Sequence, residues 1–445
     1  MYKGFISWSD FVLVPLYFLI LFVFILFIKK NHKDNILYEK YLVKGFVFKM
    51  ICTVAYCLLI YFYWGVGDSM NYFKNALYVK QLMHSGVENC SLLLKDSDYL
   101  KDVYSLDGSS NEPGWIIERM SFLLGYLSFF RFLTTSMLLA TLAYSGMFKM
   151  FEAFCKLMPE WDNRLAWAVL FFPTVTFYGS GILKDTVCFA AMGWIVYGIV
   201  QIFYIKKFRL RYMFMVMLAV MLIAAIKAYI IAAFMVPLIV FLVMLLVRKI
   251  KIVFFRRLFF PAAIVLLVVV YQLNAAAVDN LLGRFAIEKL FDNIKEQQQS
   301  YLNSEDFSGG SVFNIGTIEP TLSGFISKMP AGINATLFRP YIWESKNALM
   351  IFAGLENQIL LLITIWIIVK TGIFRFIKTI FTDPYVFLFL IYTFIFAAII
   401  GLSTANFGTL GRYRIQIIPF YLAGILYVWY LKKITIPKKQ HEKTE

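Results

Sequence analysis

The sequence predicts an all-α polytopic membrane bundle of about 11 spans, and three observations predict it. Hydrophobic residues make up 60% of the 445 residues and charged residues only 16%, against about 25% charged in soluble domains. Apolar runs approaching the roughly 20 residues that a bilayer crossing needs recur along the whole chain. Basic residues gather in alternate gaps between those runs, as cytoplasmic loops do. The composition excludes soluble, fibrous and disordered classes. It points to a single integral membrane domain over 1–445.

The first apolar run, 9–29, lacks a basic leader and a small-residue cleavage site, so it reads as a retained span. The second covers 44–65. A polar, acidic loop follows at about 66–114, carrying Asp96, Asp98, Asp102 and Asp107. The stretch 115–130 (GWIIERMSFLLGYLSF) is interrupted by charge, and suits an amphipathic surface helix or a short re-entrant one. Spans at 131–151, 163–180, 186–205, 211–226 and 229–247 are parted by short polar breaks, and another lies at 258–277. The second long loop, about 278–346, opens on the amphipathic DNLLGRFAIEKLFDNIKEQQQSYL and passes a Gly/Ser-rich turn at Ser308–Ser311. Spans at 347–369, 384–403 and 415–431 complete the set before the basic tail 432–445.

The net charge of +16 then becomes a topology signal, and no nucleic-acid partner is needed to explain it. One set of gaps holds Lys29, Lys30, Lys33, Lys40, Lys44, Lys49, Lys149, Lys156, Arg164, Lys206, Lys207, Arg209 and Arg211. Arg248, Lys249, Lys251, Arg256, Arg257, Lys370, Arg375, Lys378 and five tail lysines continue it. This puts the N-terminus outside, the C-terminal tail in the cytoplasm and both long loops outside.

Charges that run against this bias mark candidate function, because an ionised side chain at membrane depth costs roughly 2.5–3.5 kcal/mol on insertion scales. Asp68 ends the second span. Lys184 and Asp185 follow a helix interrupted by Pro173, Gly179 and Gly181, and broken helices are tolerated where they line a cavity. Lys227 sits in an apolar run as the outer hairpin between the spans at 211–226 and 229–247. Arg339 and Glu344 precede the span at 347–369. Glu356 and Asn357 lie about nine residues into it, roughly 13 Å deep at 1.5 Å per residue. Arg412 and Arg414 precede the last span. Four cationic sites and four acids (Asp68, Asp185, Glu344, Glu356) thus share one membrane level, where a bundle could converge them on one outward cavity. Guanidinium suits phosphate, and a desolvated carboxylate suits general-base work. Each also has a plainer reading. Lys184–Asp185 and Arg339–Glu344 make local ion pairs, Lys227 snorkels to the interface, and Asp68 caps a helix.

Other chemistries lack their residues. Cys52, Cys57, Cys90, Cys155 and Cys188 show no metal spacing, and only Cys90 lies in a polar loop. His32, His84 and His441 are scattered, so no metal site is expected. Walker A, GxSxG and HExxH patterns are missing, and no cofactor is implied.

Several stretches resemble bacterial exopolysaccharide and O-antigen polymerase-type membrane proteins, the EpsG-like and Wzy-like group. They are GDSMNYF at 67–73, NEPGW at 111–115, FFPTVTFYGSGILKD at 171–185, LFRPYIWE at 337–344, GLEN at 354–357 and NFGTLGRYRIQIIP at 406–419. Asp68 is also similar in place to the first-loop Asp of lipid-linked glycosyltransferases of the GT-C type. The resemblance implies a bacterial inner-membrane glycosyltransferase, in which a hydroxyl of one polyprenyl-diphosphate-linked glycan attacks another. Asp68 would be the catalytic or acceptor-orienting carboxylate, with Glu356 the second catalytic candidate on its depth. Lys184, Lys227, Arg339, Arg412 and Arg414 would hold the diphosphate. Asp185, Glu112, Glu344, Asn357, Tyr72, Trp343 and Asn406 would support them. Partners would be the bilayer, the lipid-linked oligosaccharide and other polysaccharide assembly proteins. A flippase for lipid-linked oligosaccharide and a non-catalytic scaffold are the competing classes; inverted repeats would favour transport, and the sequence has none.

Overall fold

The computed structural model describes residues 4–104, 111–250, 287–303, 311–316 and 318–441. Within them the protein is helical, with no strand beyond one isolated bridge between Val312 and Asn406. The chain divides into two compact units, Met1–Lys227 and Ala228–Glu445.

By length and composition, six described helices can cross a membrane: Asp10–Asn31, Tyr38–Trp64, Lys184–Tyr204, Leu210–Val247, Ala348–Thr371 and Pro384–Ser403. Two bent pairs raise the number to eight. Glu112–Leu127 meets Phe132–Leu157 at 110°, and Phe407–Gln416 meets Ile418–Thr435 at 57°. The expectation of 11 spans differs at one place, meets a kink at a second and reaches beyond the described residues at a third. The run 163–180 is two short helices, Asp162–Val169 and Pro173–Tyr178. Pro173 lacks an amide hydrogen and holds Phe172 extended, so the helix stops and restarts there. The runs 211–226 and 229–247 are two helices that meet at a kink at Lys227, whose backbone is non-helical (φ −146°, ψ 74°). The span at 258–277 lies outside the described residues, as do Asp107, Lys251, Arg256, Arg257 and most of the Ser308–Ser311 turn.

In the first unit, α1 (Asp10–Asn31) buries only Asp10, Tyr17, Leu21 and Ile25. The last three recur every fourth residue and form one stripe. α2 (Val43–Leu59) is flanked by π-helical turns at Tyr38–Leu42 and Ile60–Trp64. The expected loop 66–114 is largely folded. It contains α3 (Asp68–His84) and α4 (Ser97–Tyr104), which precede α5 (Glu112–Leu127). Ala76, Val79 and Leu82 of α3 pack with Trp115 and Phe122 of α5. α6 (Phe132–Leu157) crosses α9 (Lys184–Ile199) with backbones in contact. A Cβ on Gly146 would overlap the Ala190 carbonyl, and one on Gly193 would overlap the Gly146 carbonyl. Small residues at such crossings let membrane helices gain dispersion contact that apolar lipid cannot supply by exclusion. Pro173–Tyr178 is α8 and Asp162–Val169 is α7; α10 is Leu210–Val247.

At the far end of α6, Glu152 is held by four side chains. Lys149 and Lys156 donate to it at 2.8 Å each, and the Tyr38 and Tyr197 hydroxyls lie at 3.4 and 3.3 Å. Nearby, Asp162 accepts from Lys40 at 2.8 Å and Tyr41 at 2.6 Å. Burial raises the Asp162 carboxyl, but those two donors outweigh it and hold the group below its ordinary value.

In the second unit, α11 (Ile287–Asn303) lays Ile294 against Leu402 of α15 (Pro384–Ser403) and Ile318. α12 (Leu322–Phe338) crosses α15 at a second glycine contact, where a Cβ on Gly401 would overlap the Gly332 carbonyl. Thr336 Oγ1 donates to the Ala397 carbonyl beside it, at 2.8 Å. α13 (Ala348–Thr371) leads into α14 (Ile373–Thr382), which carries Phe376 and Ile380 on its buried face. α16 (Phe407–Tyr413), a 3-10 turn at Arg414–Gln416 and α17 (Ile418–His441) close the unit.

Candidate functional site

The predicted residues fall into two sets, one in each unit. In the first, Gly65 in a left-handed conformation (φ 69°) ends the helix at Trp64, and Asp68 opens α3. A carboxylate in a helix's first turn is favoured by the helix dipole. Asp68 is half-buried, and the next residue, Ser69, is buried with its hydroxyl 3.3 Å from that of Tyr56. Tyr72, one turn further, is buried beneath Lys184, whose Nζ lies 5.7 Å from its ring centre.

Lys184 starts α9 immediately after the break that follows α8. Its Nζ donates to Asn111 Oδ1 at 2.9 Å, the same oxygen that caps α5 by accepting the Gly114 N–H. Its charged neighbours are Lys227, Asp68, Asp185 and Glu118. Asp185 faces Lys227, with Nζ to Oδ1 at 2.5 Å and side chains only 2% and 9% exposed. Fully buried Glu118 accepts from Asn75 Nδ2 at 2.9 Å. The segment between α8 and α9 is pinned from behind. Lys49, fully buried in α2, donates to the Gly179 carbonyl, and a Cβ on Gly181 would strike the Tyr56 ring. Lys49 therefore belongs to a helix interior and not to the basic loop in which the charge pattern places it. Glu112 accepts the backbone N–H of Ser97, so it fastens the start of α4.

In the second unit, Arg414 is 2% exposed inside its 3-10 turn. It donates to Asn357 Oδ1 at 2.5 Å and to Glu356 Oε1 at 3.1 Å. Asn357 in turn donates to the Pro340 carbonyl at 3.3 Å. Arg339 grips Glu344 through Nε at 2.9 and 3.1 Å and through a second guanidinium nitrogen, while the Tyr341 N–H donates to the same carboxylate at 2.8 Å. Burial raises the Glu344 carboxyl, and these donors more than reverse it, leaving it below its ordinary 4.5. The Arg339 guanidinium also lies 5.1 and 5.4 Å from the Phe313 and Phe407 rings, which stack at 4.4 Å. Trp343 is 76% exposed and stacks on Tyr341 at 4.8 Å. Asn406 caps α16 by accepting the Thr409 N–H at 3.1 Å. Arg412 lies 5.2 Å from the Tyr413 ring and acts electrostatically on Tyr301, whose phenol burial pushes up to about 12.

The first unit thus brings Asp68, Tyr72, Lys184, Asp185 and Lys227 together. The second groups Glu356 and Asn357 with Arg414, and Arg339 with Glu344. Asn75, Asn111, Glu118 and Lys49 were missed by sequence reasoning. Glu118 carried a signal, an acid inside an otherwise apolar helix, and Asn111 opens the NEPGW stretch at 111–115; Asn75 carried none. Among the described residues no group of His, Cys, Asp and Glu could hold a metal ion. No family model, curated protein or solved structure matches this chain.

Proposed function

We propose that this multi-pass membrane protein is a glycosyltransferase of the polysaccharide-polymerase class, joining polyprenyl-diphosphate-linked glycan units on the outer face of a bacterial inner membrane. The observation that carries the reading is Asp68 at the N-terminal turn of α3, electrostatically coupled to Lys184 at the start of α9 beside a pinned helix break. The acceptor hydroxyl attacks the anomeric carbon and gives its proton to the Asp68 carboxylate. The glycosidic bond forms as the bond to the diphosphate oxygen breaks, and the Lys184 ammonium stabilises the negative leaving group. Asp68 is preferred to Glu356 as the base because it lies in the same unit as Lys184 and acts on it electrostatically. Lys227, Arg339 and Arg414, each matched by an acid, are assigned to holding the scaffold, and Lys184 is assigned to the phosphate.

Purified protein given lipid-linked oligosaccharide should lengthen the glycan, and Asp68→Asn should abolish elongation while substrate binding persists. Movement of the substrate between leaflets without elongation would replace this reading with the flippase. Neither activity would leave a scaffold of a polysaccharide assembly system. The orientation is tested in the same preparation. A reporter after Lys439 should be cytoplasmic, and a cysteine at exposed Ser91 should react from outside.

A further inference from the structure

A cleft of about 400 Å³ opens where α1 ends and the helix at Tyr38 begins, lined by Leu26, Lys29, Lys30, Lys33 and Glu39. Three ammonium groups against one carboxylate give it a net positive lining. The C-terminal turn of α1 supplies two of the lysines, and His32 closes the turn by stacking on Tyr38 at 4.3 Å with Nδ1 2.9 Å from the Ile28 carbonyl. Directly along the helix, the character changes. Leu19, Ile20, Val23, Phe24, Leu26 and Phe27 are all 41–60% exposed. Leu26 belongs to both features: it lines the cleft and continues the apolar face. Lys29 and Lys30 stand three and four residues beyond it, about 5 Å up the axis on the same face, with Val23 one turn below.

We infer that the Lys29–Lys30–Lys33 cleft binds the phosphodiester headgroup of an anionic phospholipid, whose acyl chains run down α1 past Leu26 and Val23. A soluble anion would use the lysines alone. A lipid uses the cationic cleft and the apolar rail together, and their continuity along one helix face matches a headgroup joined to hydrocarbon. Basic residues at a membrane surface each gain roughly fivefold in anionic-lipid association, so three acting together with Glu39 opposed predict a preference of about tenfold or more. This site is independent of the glycosyltransferase reading.

Full-length protein exchanged into mixed phosphatidylglycerol and phosphatidylcholine should retain phosphatidylglycerol in native mass spectrometry. The Lys29→Gln, Lys30→Gln, Lys33→Gln triple variant should retain about tenfold less. The charge-matched control Lys206→Gln, Lys207→Gln, Arg209→Gln should retain as much as the unmodified chain. Equal retention by both triple variants overturns the assignment. So does competition of phosphatidylglycerol by millimolar glycerol phosphate, which would mark an anion site with no lipid component. If the triple variant does not accumulate, the three single variants substitute for it: a partial loss in each supports the site, and no loss in any of them rejects it.

Discussion

Arg414 and Lys184 are both cations placed where a membrane protein gains nothing from them by composition, yet their surroundings differ. Arg414 is closed off at 2% exposure by a carboxylate and an amide, Glu356 and Asn357. Lys184 is half-buried, bonded to the Asn111 amide and lying over an aromatic ring, with Asp68 and Glu118 acting on it through space. The first unit also contains the Arg414 solution, in the Asp185–Lys227 pair one residue along from Lys184. Charge at an unfavourable depth is therefore two different things. Where each partner is matched, it fixes how helices meet. Where the cation is held by neutral groups among acids, as Lys184 is, it is the kind that the proposed reaction uses.

The sharpest way to break this contrast is to unmatch a closed pair. Asp185→Ala leaves Lys227 buried without its carboxylate and should cost about 3–5 kcal/mol, seen as a large loss of thermal stability in detergent. Replacing both residues with leucine should recover most of it. If Asp185→Ala is as stable as the parent, the pair is no structural lock and Lys227 returns to the substrate candidates. Arg414→Met in the second unit should be nearly as damaging, and Glu356→Leu in the same chain should relieve it.

Next in size is an effect on activity without one on stability. Lys184→Gln keeps a donor for Asn111 and should move stability by about 1 kcal/mol or less, while elongation falls to background. Unfolding of this variant at the level of Asp185→Ala would erase the distinction between the two kinds of cation.

The smallest effect concerns the partly exposed Arg339–Glu344 pair. The Glu344 carboxyl is depressed in the folded protein, so the stability it contributes is complete above about 4.5, its ordinary value, and is lost as pH falls through the lower folded value. Melting between pH 6 and pH 3.5 should show this acid-side loss in the parent and less of it in Glu344→Gln. Parallel curves for the two would mean the pair carries no pH dependence.

The helical class, the first two spans and those at 347–369 and 384–403 were legible because each rests on a continuous apolar run, which composition alone reveals. The break at Phe172–Pro173 was legible as a chemical event, since proline forbids a continuous helix, but its outcome as two short helices depends on what packs around it. Lys49 shows the limit most clearly. A lysine five residues from another basic residue looks like loop charge, and only the arrival of the Gly179 carbonyl from 130 residues away makes it an interior group. The charged positions were found by their conflict with the membrane. Their pairing, Asp185 with Lys227 and Glu356 with Arg414, is long-range in sequence and left no local mark.

The narrow buried stripe of α1 has an evolutionary consequence. Of its 22 residues only Asp10, Tyr17, Leu21 and Ile25 are buried, and Tyr17 adds a hydrogen bond of 2.5 Å from its hydroxyl to the Leu127 carbonyl. Everywhere else on this helix, down to its lysines, one greasy residue serves as well as another. Lineages of this protein should therefore diverge fastest in the first span, exchanging Leu, Ile, Val and Phe almost at random while a four-position signature persists. A library of Leu, Ile, Val and Phe exchanges across 10–28 would register as a long neutral stretch punctuated by those four intolerant codons.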